Sequence, residues 1–498
     1  MSGTEGFSRY YYTTMHNNMD TSPPGGGIPR PRRSSTVLEN GSLYTHGDKG
    51  EPPVFQSASG MSTPIPLPDV YTQPAHKYPG LDSKHNSTGV IWATEQATAK
   101  GYHPDDPAWT NFGQGAPEVG PIPGGMEKPQ WIESGVGERE YAPTSGVKEL
   151  REAVANLYND HYRKGMESQY TYENVCIVPG GRAGLIRIAS ILRDCYMSFF
   201  LPDYTAYSEM LSLFKNFAAI PVPLEESDNY QVHLDAVENE LRRGVTAMIT
   251  SNPRNPTGHS LKGEGLEKLH DMCRQQCLLI MDEFYSRYYY GSNCDGSSNS
   301  SAQYVQDVNV DPVLILDGLT KAFRLPGWRV CWILGPKKYI EALTSAGSYL
   351  DGGTNAPFQK AAIPMLEPNL VRTEMAAVQT HFKAKRDYCI QRLESMGFHF
   401  RSKPDSTFYL WLDLSHLPGK IKTALGFFQE CLNERIITVP GIFFDLNPVA
   451  RRELHDSPMF HFVRLSYGPP MDQLKQGMDG IQRIVDRYKA GASILPKR

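Results

Sequence analysis

Short apolar runs that alternate with helical periodicity constrain the fold of this chain more than any other feature. The runs occur in NVCIVPGG, AMITSNP, CLLIMDE and VLILDGL, and the helical segment GEGLEKLHDMCRQQ precedes the third of them. A run that is apolar at every position is typical of a strand covered on both faces, and alternation of strands with helices indicates a parallel sheet. The sequence therefore predicts an α/β fold with a mainly parallel sheet.

The last third of the chain has a different pattern. A long helical stretch, AAVQTHFKAKRDYCIQRLESMG, leads into three strand-like segments, TFYLWLDL, IITVPG and FVRLSYG. The segment MDQLKQGMDGIQRIVDRYK then has the periodicity of a closing helix. Because 498 residues exceed what one hydrophobic core holds, we expect this part to form a second, smaller α+β domain.

Residues 1–84 lack any sustained apolar period. They are rich in Gly, Pro, Ser, Thr, Asn and Tyr, and such a segment cannot bury enough surface to offset the entropy of ordering. We predict a disordered N-terminal tail, whose basic cluster RPRRSS is either a kinase site or simply part of the tail. The first residues have no apolar core of a signal peptide, and Glu5 and Asp20 do not suit a transit peptide. A cytoplasmic location is expected.

The composition of the chain argues against nucleic acid, membranes and metal ions as its partners. A formal net charge of -4 gives no basic excess for nucleic acid, and no apolar run reaches the roughly 18 residues that cross a membrane. The eight cysteines are scattered, as in a reducing compartment. Cys273 and Cys277, with His270 nearby, do not complete a zinc site and are interpreted as small buried residues on a helix. No metal site is predicted.

Several residues that could bind a ligand or take part in catalysis stand just after the predicted strands. In parallel sheets, ligands bind beyond the carboxyl ends of the strands, so these residues are expected to share one site. They are Gly180 and Gly181 after CIV, Asn252 and Asn255 after AMITS, Asp282 after CLLIM, and Lys321 after VLILDGLT.

The loop SNPRNPTGHS, residues 251–260, contains two Asn-Pro pairs. Proline restricts the residue before it and cannot donate to a strand ladder, so a stiff, extended loop is predicted. Together the strand ends offer a lysine, a buried carboxylate, an aromatic hydroxyl and a glycine pair before a helix. Pyridoxal phosphate would use all four, because it needs a Schiff-base lysine, a carboxylate for its ring nitrogen, donors for its phenolic oxygen and a phosphate cradle.

Four motifs carry a family resemblance. SNPRNPTG, MDEFY, LTKAFRLPGWRV and FVRLSYG resemble, in this order, the motifs of the class I/II aminotransferases, which are fold type I enzymes dependent on pyridoxal phosphate. The similarity runs from about Asn111 to Gly468. It implies a large domain that binds pyridoxal phosphate, residues 136–345, and a small domain formed by residues 85–135 and 346–498.

The resemblance implies roles around the cofactor ring. Lys321 matches the lysine that forms the Schiff base and moves the proton, and Asp282 matches the partner of the ring nitrogen. Tyr285 and Asn255 match the two residues that bond the phenolic oxygen, whereas Asn252 is interpreted as a turn residue. Tyr204 resembles the aromatic residue that stacks on the ring, with Tyr207 as the alternative.

Further roles concern the phosphate and the substrate. The resemblance assigns the phosphate to Arg329, to the backbone amides of Gly181, Arg182 and Ala183, and to Tyr141 of a neighbouring subunit, which implies a homodimer with shared active sites. Arg464 resembles the arginine that holds the substrate α-carboxylate by a bidentate pair, and Gly113 lies in a loop that resembles the one covering the substrate.

This chain also departs from the family pattern. The serine that usually stands three residues before the lysine is Gly318 here, and Thr320 supplies a nearby hydroxyl that we also assign to the cofactor site. Ala183 replaces a residue that is frequently polar. No position clearly supplies a second arginine for a dicarboxylate, so aspartate specificity is not supported. Trp328, Tyr409 and Trp411 leave the substrate open and are interpreted as core.

The expected reaction is transamination, in which an L-amino acid gives its amino group to a 2-oxo acid through the Lys321 Schiff base. The alternatives on the same residues are a lyase similar to aminocyclopropane-carboxylate synthase and an amino acid oxidase. A regulatory sensor would need a DNA-binding segment, and residues 1–84 have neither periodic helices nor a basic face.

Overall fold

The computed structural model describes residues 89–494, apart from residues 215, 292, 449–452, 454 and 455. The predicted tail, residues 1–84, lies outside the described residues. The helices are α1 Gly89–Ala99, α2 Lys148–Tyr162, α3 Gly181–Ile191, α4 Ala206–Leu213, α5 Leu234–Arg242, α6 Glu264–Cys273, α7 Lys337–Leu350, α8 Ala356–Ala362, α9 Pro368–Ser395, α10 Ala424–Asn433 and α11 Met471–Ile494. The strands are β1 Thr110–Asn111, β2 Val175–Val178, β3 Cys195–Leu201, β4 Phe217–Pro223, β5 Ala247–Ser251, β6 Leu278–Asp282, β7 Val313–Gly318, β8 Cys331–Leu334, β9 Tyr409–Asp413, β10 Ile436–Ile437, β11 Val439–Pro440 and β12 Phe462–Ser466.

Seven strands form the main sheet, in the order β2-β8-β7-β6-β5-β3-β4. The pairs β7–β6, β6–β5, β5–β3 and β3–β4 are parallel, whereas β8 is antiparallel to both β2 and β7. The predicted α/β fold with a large, mainly parallel sheet is thereby confirmed. The direction of β8 was not predicted, because CWIL is too short to carry a directional signal.

Both faces of this sheet are covered, which explains why its strands are apolar at every position. In β7, Leu314 and Leu316 pack into one core with α3 and α7, while Val313 and Ile315 pack into a second core with α2 and α6. Successive side chains of a strand point to opposite faces, so each apolar run contributes to both cores.

The C-terminal part contains the predicted smaller elements. Strands β11, β12 and β9 form an antiparallel sheet, and β1 pairs with β10 in a parallel two-stranded sheet. Helix α9 begins earlier than the periodicity predicts, at Pro368, where the Glu367 side chain accepts hydrogen bonds from the first-turn amides. The domain division at residues 136 and 345 stays a prediction.

The cysteine prediction is correct in burial and wrong in placement. Cys273 and Cys277 are both buried, but α6 ends at Cys273. Gln275 has a φ of 68°, which turns the chain out of the helix before Cys277. In the described part of the chain, no three His, Cys, Asp or Glu side chains cluster in a way that would hold a metal ion, and no helix has the length and apolar character of a membrane span.

Candidate active site

A cavity of about 380 Å³ lies beyond the carboxyl ends of the main strands, where ligands of such sheets bind. The antiparallel β8 contributes its first residue to the same edge, so the connection from β7 to β8 also borders the cavity. Ten of the predicted site residues line it: Gly181, Arg182, Tyr204, Asn255, Asp282, Tyr285, Thr320, Lys321, Arg329 and Arg464.

Lys321 follows the end of β7 and points its amine into this cavity. Its Nζ donates a hydrogen bond to the backbone oxygen of Gly115, and its own carbonyl accepts one from the Tyr288 hydroxyl at 2.8 Å. Burial, reinforced by the positive charge of Arg464, lowers the pKa of the Lys321 amine to about 8. A sizeable fraction of the amine is therefore neutral near that pH and able to accept a proton.

Asp282 is the last residue of β6 and is almost completely buried. Burial raises the pKa of its carboxyl to about 7, against a hydrogen bond that Tyr207 donates to Oδ2 at 2.8 Å, and the nearby Asp203 adds to the increase. A cation beside this carboxyl would favour its ionised form. Tyr207, predicted only as an alternative stacking residue, is instead fully buried against Asp282.

A second buried carboxylate, Asp203, anchors the Asn-Pro loop. Arg254 Nη1 donates to its Oδ2 at 2.7 Å, and the Ser251 hydroxyl donates to its Oδ1. Ser251 Oγ in turn accepts the backbone N–H of Asn255 at 3.1 Å. The loop is thus held by an ion pair as well as by its prolines. Asp203 was not predicted, although an acidic residue in LPDY directly after β3 was a usable signal.

The two asparagines of this loop have different surroundings. Asn252 forms a reciprocal pair with the backbone of Leu261, with both hydrogen bonds at 2.9 Å, and so closes the loop as a turn residue does. Asn255 lines the cavity, and its Oδ1 accepts a hydrogen bond from Arg464 Nη1 at 3.0 Å.

Arg464, on β12, is a buried cation between two aromatic rings. Its guanidinium carbon lies 4.1 Å from the centre of the Tyr409 ring and 4.9 Å from that of Phe444. Nη2 donates to the Gly113 carbonyl at 2.7 Å, while Nε is buried without a hydrogen-bond partner in the described chain. Both Nη contacts are to neutral oxygens, so this buried charge has no carboxylate partner among the described residues. It is therefore able to bind the carboxylate of a ligand.

Tyr285 and Tyr409 meet in the cavity wall, where their hydroxyl oxygens are 2.8 Å apart. Tyr285 follows β6, and Tyr409 begins β9 of the smaller sheet. The interpretation of Tyr409 as a core residue is therefore incomplete, because its ring packs on Arg464 while its hydroxyl reaches a predicted cofactor residue. Of the three tyrosines that line the cavity, Tyr409 is the one that was not predicted as a site residue.

The start of α3 forms a cradle for an anion. The helix begins at Gly181, no side chain caps it, and Gly180 before it has a φ of 107°. A Cβ would lie 1.7 Å from Arg329 Nη2 at Gly180, and 2.5 Å from the Phe284 ring at Gly181. Only glycine fits this close approach, which leaves the first amides of α3 free to bind an anion.

Two arginines flank this cradle. Arg329 is exposed and donates to the carbonyls of Pro326, at 3.0 Å, and Pro179, at 3.5 Å, so its charge is not neutralised by these contacts. Arg182 Nε donates to the Tyr204 hydroxyl at 3.2 Å. Guanidinium groups and free helix amides together are the usual donors to a phosphate.

Gly318 explains one departure from the family pattern. It pairs with Cys331 across β7 and β8, and a Cβ at Gly318 would lie 2.6 Å from the Cys331 Cα. A serine therefore has no room here. The Thr320 hydroxyl lies 3.2 Å from Cys331 Sγ, and burial raises the pKa of that thiol to about 11.

Three predicted residues lie outside the lining. Gly113 contributes its carbonyl to Arg464 from just behind the wall, and Ala183 lies in the first turn of α3. Tyr141 is 95% exposed, and the structure does not bring it to the cavity of its own chain. Trp131 and Val136, 89% and 78% exposed, lie in the same segment.

A buried group of charges fixes the loop that carries Gly115. Glu118 accepts a hydrogen bond from Lys385 of α9, and its Oε1 lies 3.2 Å from His381 Nε2. Burial alone would raise the pKa of Glu118, but these two partners outweigh it and lower the pKa to about 2. The loop over the cavity is thereby joined to α9 of the C-terminal part.

Comparison with known proteins shows which family has a sequence like this one. The sequence model of the family described as "Aminotransferase class I and II" matches residues 107–481. The chain belongs to this family. The class I and II aminotransferase is 25% identical over 358 residues to an aspartate/prephenate aminotransferase of Thermus thermophilus, covering 70% of this chain and 84% of that protein. It is 24% identical over 357 residues to an aromatic-amino-acid aminotransferase of Thermococcus litoralis, covering 71% and 86%.

Solved structures show the same fold. A Thermus thermophilus aspartate aminotransferase single mutant aligns with a TM-score of 0.66 at 21% identity, covering 80% of this chain and 97% of that one. An aromatic aminotransferase from Pyrococcus horikoshii aligns with a TM-score of 0.64 at 20% identity, covering 80% and 99%. The fold is that of the fold type I enzymes, as predicted.

This aminotransferase is therefore an enzyme dependent on pyridoxal phosphate, which transfers an amino group between amino acid and 2-oxo acid substrates. The comparisons do not favour the lyase and oxidase alternatives. The cavity fits the cofactor and its substrate. It is bordered by a lysine amine of lowered pKa, a buried carboxyl, an uncapped helix start at Gly181 and a buried guanidinium whose Nε has no partner among the described residues.

Proposed function

We propose that this aminotransferase holds its cofactor with the residues that line the 380 Å³ cavity. Lys321 would bind the aldehyde carbon, and Asp282 would pair with the ring nitrogen. Asn255 and Tyr285 would bond the phenolic oxygen, and Tyr204 would stack on the ring. The observation that carries the proposal is that the Lys321 amine, the Asp282 carboxyl and the Arg464 guanidinium line one cavity.

The phosphate has its own set of proposed donors. They are the backbone amides of Gly181, Arg182 and Ala183, the Arg329 guanidinium, the Thr320 hydroxyl and Tyr141 of a second copy. Support comes from the uncapped start of α3 and from the lack of a neutralising partner in the contacts of Arg329. The Cys331 backbone leaves no room for a serine side chain at position 318. The affinity for the phosphate would therefore depend more strongly on Arg329 and Tyr141.

The chemistry follows from the protonation states of two residues. When bound, pyridoxal phosphate supplies an aldehyde that takes up the amino group and a ring that accepts the electron pair of the substrate Cα. Once the amino group of the substrate has displaced it from the aldehyde carbon, Lys321 Nζ would take the proton from the substrate Cα and deliver it to that former aldehyde carbon of the cofactor. Its lowered pKa favours the neutral amine that this needs. Ionised Asp282 would keep the ring nitrogen protonated, and Tyr207 stabilises that ionised form.

Arg464 is proposed to bind the substrate α-carboxylate, with Gly113 beside it. The guanidinium is buried, oriented by Asn255 and Gly113, and still has a donor to spare in Nε. A buried, oriented arginine gives a strong and geometrically defined carboxylate contact.

A spectroscopic half-reaction tests this function. The cofactor-loaded protein is mixed with a single amino acid and no 2-oxo acid. We expect a stoichiometric loss of the absorbance of lysine-linked cofactor, and its return when a 2-oxo acid is added. Absorbance that returns unaided while ammonia accumulates or oxygen is consumed would instead indicate the lyase or the oxidase.

We further propose that the enzyme is a homodimer of the cytoplasm. The exposed apolar side chains of Trp131, Val136 and Tyr141 support an interface with a second copy, because exposed apolar patches mark association sites. All eight cysteines are free thiols, which agrees with a reducing compartment.

A further inference from the structure

A second cavity, of about 300 Å³, adjoins the first. Five residues line both spaces, so the two cavities share a wall: Val90, Arg182, Leu185, Tyr204 and Arg464. Since Arg464 is among them, the guanidinium that lacks a carboxylate partner stands at the junction. Any ligand bound to Arg464 by a carboxylate therefore has the second cavity within reach.

The walls of the second cavity come from three helices and are mostly apolar. Helix α1 contributes its beginning, α3 its first turns and α4 most of its length. Side chains of Ile91 and Leu213 continue the apolar surface to the outside, where they are 52% and 59% exposed. The remaining apolar lining consists of Val90, Leu185, Ile186, Ala206 and Met210.

Apart from Arg464, two charged side chains reach this lining, Arg182 and Glu209. Arg182 already donates from Nε to the Tyr204 hydroxyl. Arg182 and Glu209 have opposite charges, so together they offer a second carboxylate of a ligand no net attraction. The charges of this cavity therefore do not select for a dicarboxylate, and the apolar lining sets the preference.

We propose that the second cavity receives the substrate side chain, and that the preferred substrates are amino acids with large apolar side chains, aromatic ones above all. This inference rests on the proposed role of Arg464 as the carboxylate anchor. Size supports it, because an apolar cavity of about 150 Å³ already binds benzene, and this one has about twice that volume.

Binding of substrate-like carboxylates tests the inference without turnover. Dissociation constants of propionate, 3-phenylpropionate and succinate are measured by calorimetry on the cofactor-loaded wild-type enzyme. Propionate and 3-phenylpropionate differ only in the ring, and burying a phenyl group should tighten binding by about tenfold or more. Succinate should bind no tighter than propionate. The inference is overturned if succinate binds as tightly as 3-phenylpropionate, or if the ring adds no affinity.

A cavity-filling variant locates the ring. Ala206→Leu adds three carbons to the wall of the second cavity, and we expect it to remove most of the affinity gained by the phenyl ring while leaving propionate binding unchanged. Ser208→Leu, on the same helix but outside the lining, is the matched control and should keep the gain. Equal losses in both variants, or a gain that survives Ala206→Leu, would overturn the placement.

The failure of this inference and that of the proposed function are distinguishable. Arg464→Gln should weaken binding of all three carboxylates by about tenfold or more, because each loses a charged hydrogen-bond partner. If Arg464→Gln changes nothing, the anchor itself is wrong. If it weakens all three but the ligand ranking is reversed, only the side-chain inference fails.

Discussion

The Tyr207 hydroxyl donates a hydrogen bond of 2.8 Å to Oδ2 of Asp282 inside the core of the enzyme. Burial raises the pKa of the Tyr207 hydroxyl well above its usual value, so it remains a donor at every working pH. The same bond opposes the rise that burial imposes on the pKa of the Asp282 carboxyl. Tyr207 thus favours the charged form that a protonated ring nitrogen would need as its partner.

Removing this hydroxyl should change the pH dependence of the reaction. In Tyr207→Phe we expect the pKa of Asp282 to rise, so that the acid limb of the pH profile of kcat moves to higher pH. We also expect kcat at neutral pH to fall by about tenfold, the size of one hydrogen bond to a charged group. Steady-state rates across pH measure both. Tyr339→Phe, half-buried on α7, is the control, and an unmoved acid limb in Tyr207→Phe would contradict the assignment.

Loss of the lysine amine should separate cofactor binding from chemistry. Lys321→Ala is expected to lower turnover by a factor on the order of 10³ or more, because it removes both the nucleophile and the proton acceptor. Cofactor held by Arg329 and Asp282 should remain after dialysis but lose the absorbance of its lysine-linked form. Lys338→Ala, exposed on α7, should behave as wild type. Retained turnover in Lys321→Ala would overturn the site assignment.

The exposed position of Tyr141 can be tested by mixing subunits. If Tyr141 acts in the site of a second copy, Lys321→Ala and Tyr141→Ala chains that form mixed dimers should regain activity, because one of the two sites then carries neither substitution. Turnover of the mixture is compared with each parent after subunit exchange, followed with differently tagged wild-type chains. A mixture that exchanges but gains nothing would place Tyr141 outside the shared site.

The contact between Gly318 and Cys331 should be visible in stability. Gly318→Ala places a Cβ about 2.6 Å from a backbone atom of β8, and we expect overpacking to cost about 1–3 kcal/mol of unfolding free energy. Urea denaturation at an unchanged slope measures this cost. At Gly120, an exposed loop residue with no atom within 4 Å of an added Cβ, the same change should cost less than about 0.5 kcal/mol. Equal costs at both positions would refute the packing argument.

Glu118 should contribute to stability in acid. Its pKa is about 2 in the folded protein against an ordinary value of 4.5, so its contribution is complete above pH 4.5 and is lost as the pH falls toward 2. Burial lowers the pKa of Lys385 despite the pairing, which makes the net contribution of the pair smaller than the Glu118 shift alone.

In Glu118→Gln we therefore expect a loss of about 1–2 kcal/mol at pH 7 that shrinks below pH 4.5. Denaturation midpoints at a series of pH values measure the trend, with the exposed Glu341→Gln as control. A loss that stays constant through pH 3 would show that the charge of Glu118 is not responsible.

The sequence was informative wherever a residue that lines the active-site cavity lies at or just after the end of a strand. Asp282, Lys321 and Asn255 were located in this way, because an apolar run fixes the strand and the parallel arrangement fixes the edge at which it ends. Gly181 was located by the glycine pair before a helix. These signals are local, so one sequence is enough to find them.

Contacts between segments that are far apart in the chain could not be predicted from the sequence. Tyr207 meets Asp282 across 75 residues, and Tyr409 meets Tyr285 across 124. In each case an aromatic residue in an apolar segment has the same local pattern whether its hydroxyl reaches a site or not. The second cavity is likewise formed by three helices that are separate in the sequence, and the apolar periodicity of each helix alone does not indicate a cavity.

The connection from β7 to β8 carries both Lys321 and Arg329, and the pairing of Gly318 with Cys331 closes it at its base. The residue proposed to bind the cofactor covalently, Lys321, and the arginine proposed to bind its phosphate, Arg329, therefore belong to one short segment of the chain. If this connection were exchanged with that of a relative, both residues would be replaced together. An insertion within it would change the distance between Lys321 and Arg329. New chain ends, inserted domains and loop grafts are consequently better placed in the crossover from β4 to β5, which carries none of the residues assigned to the site.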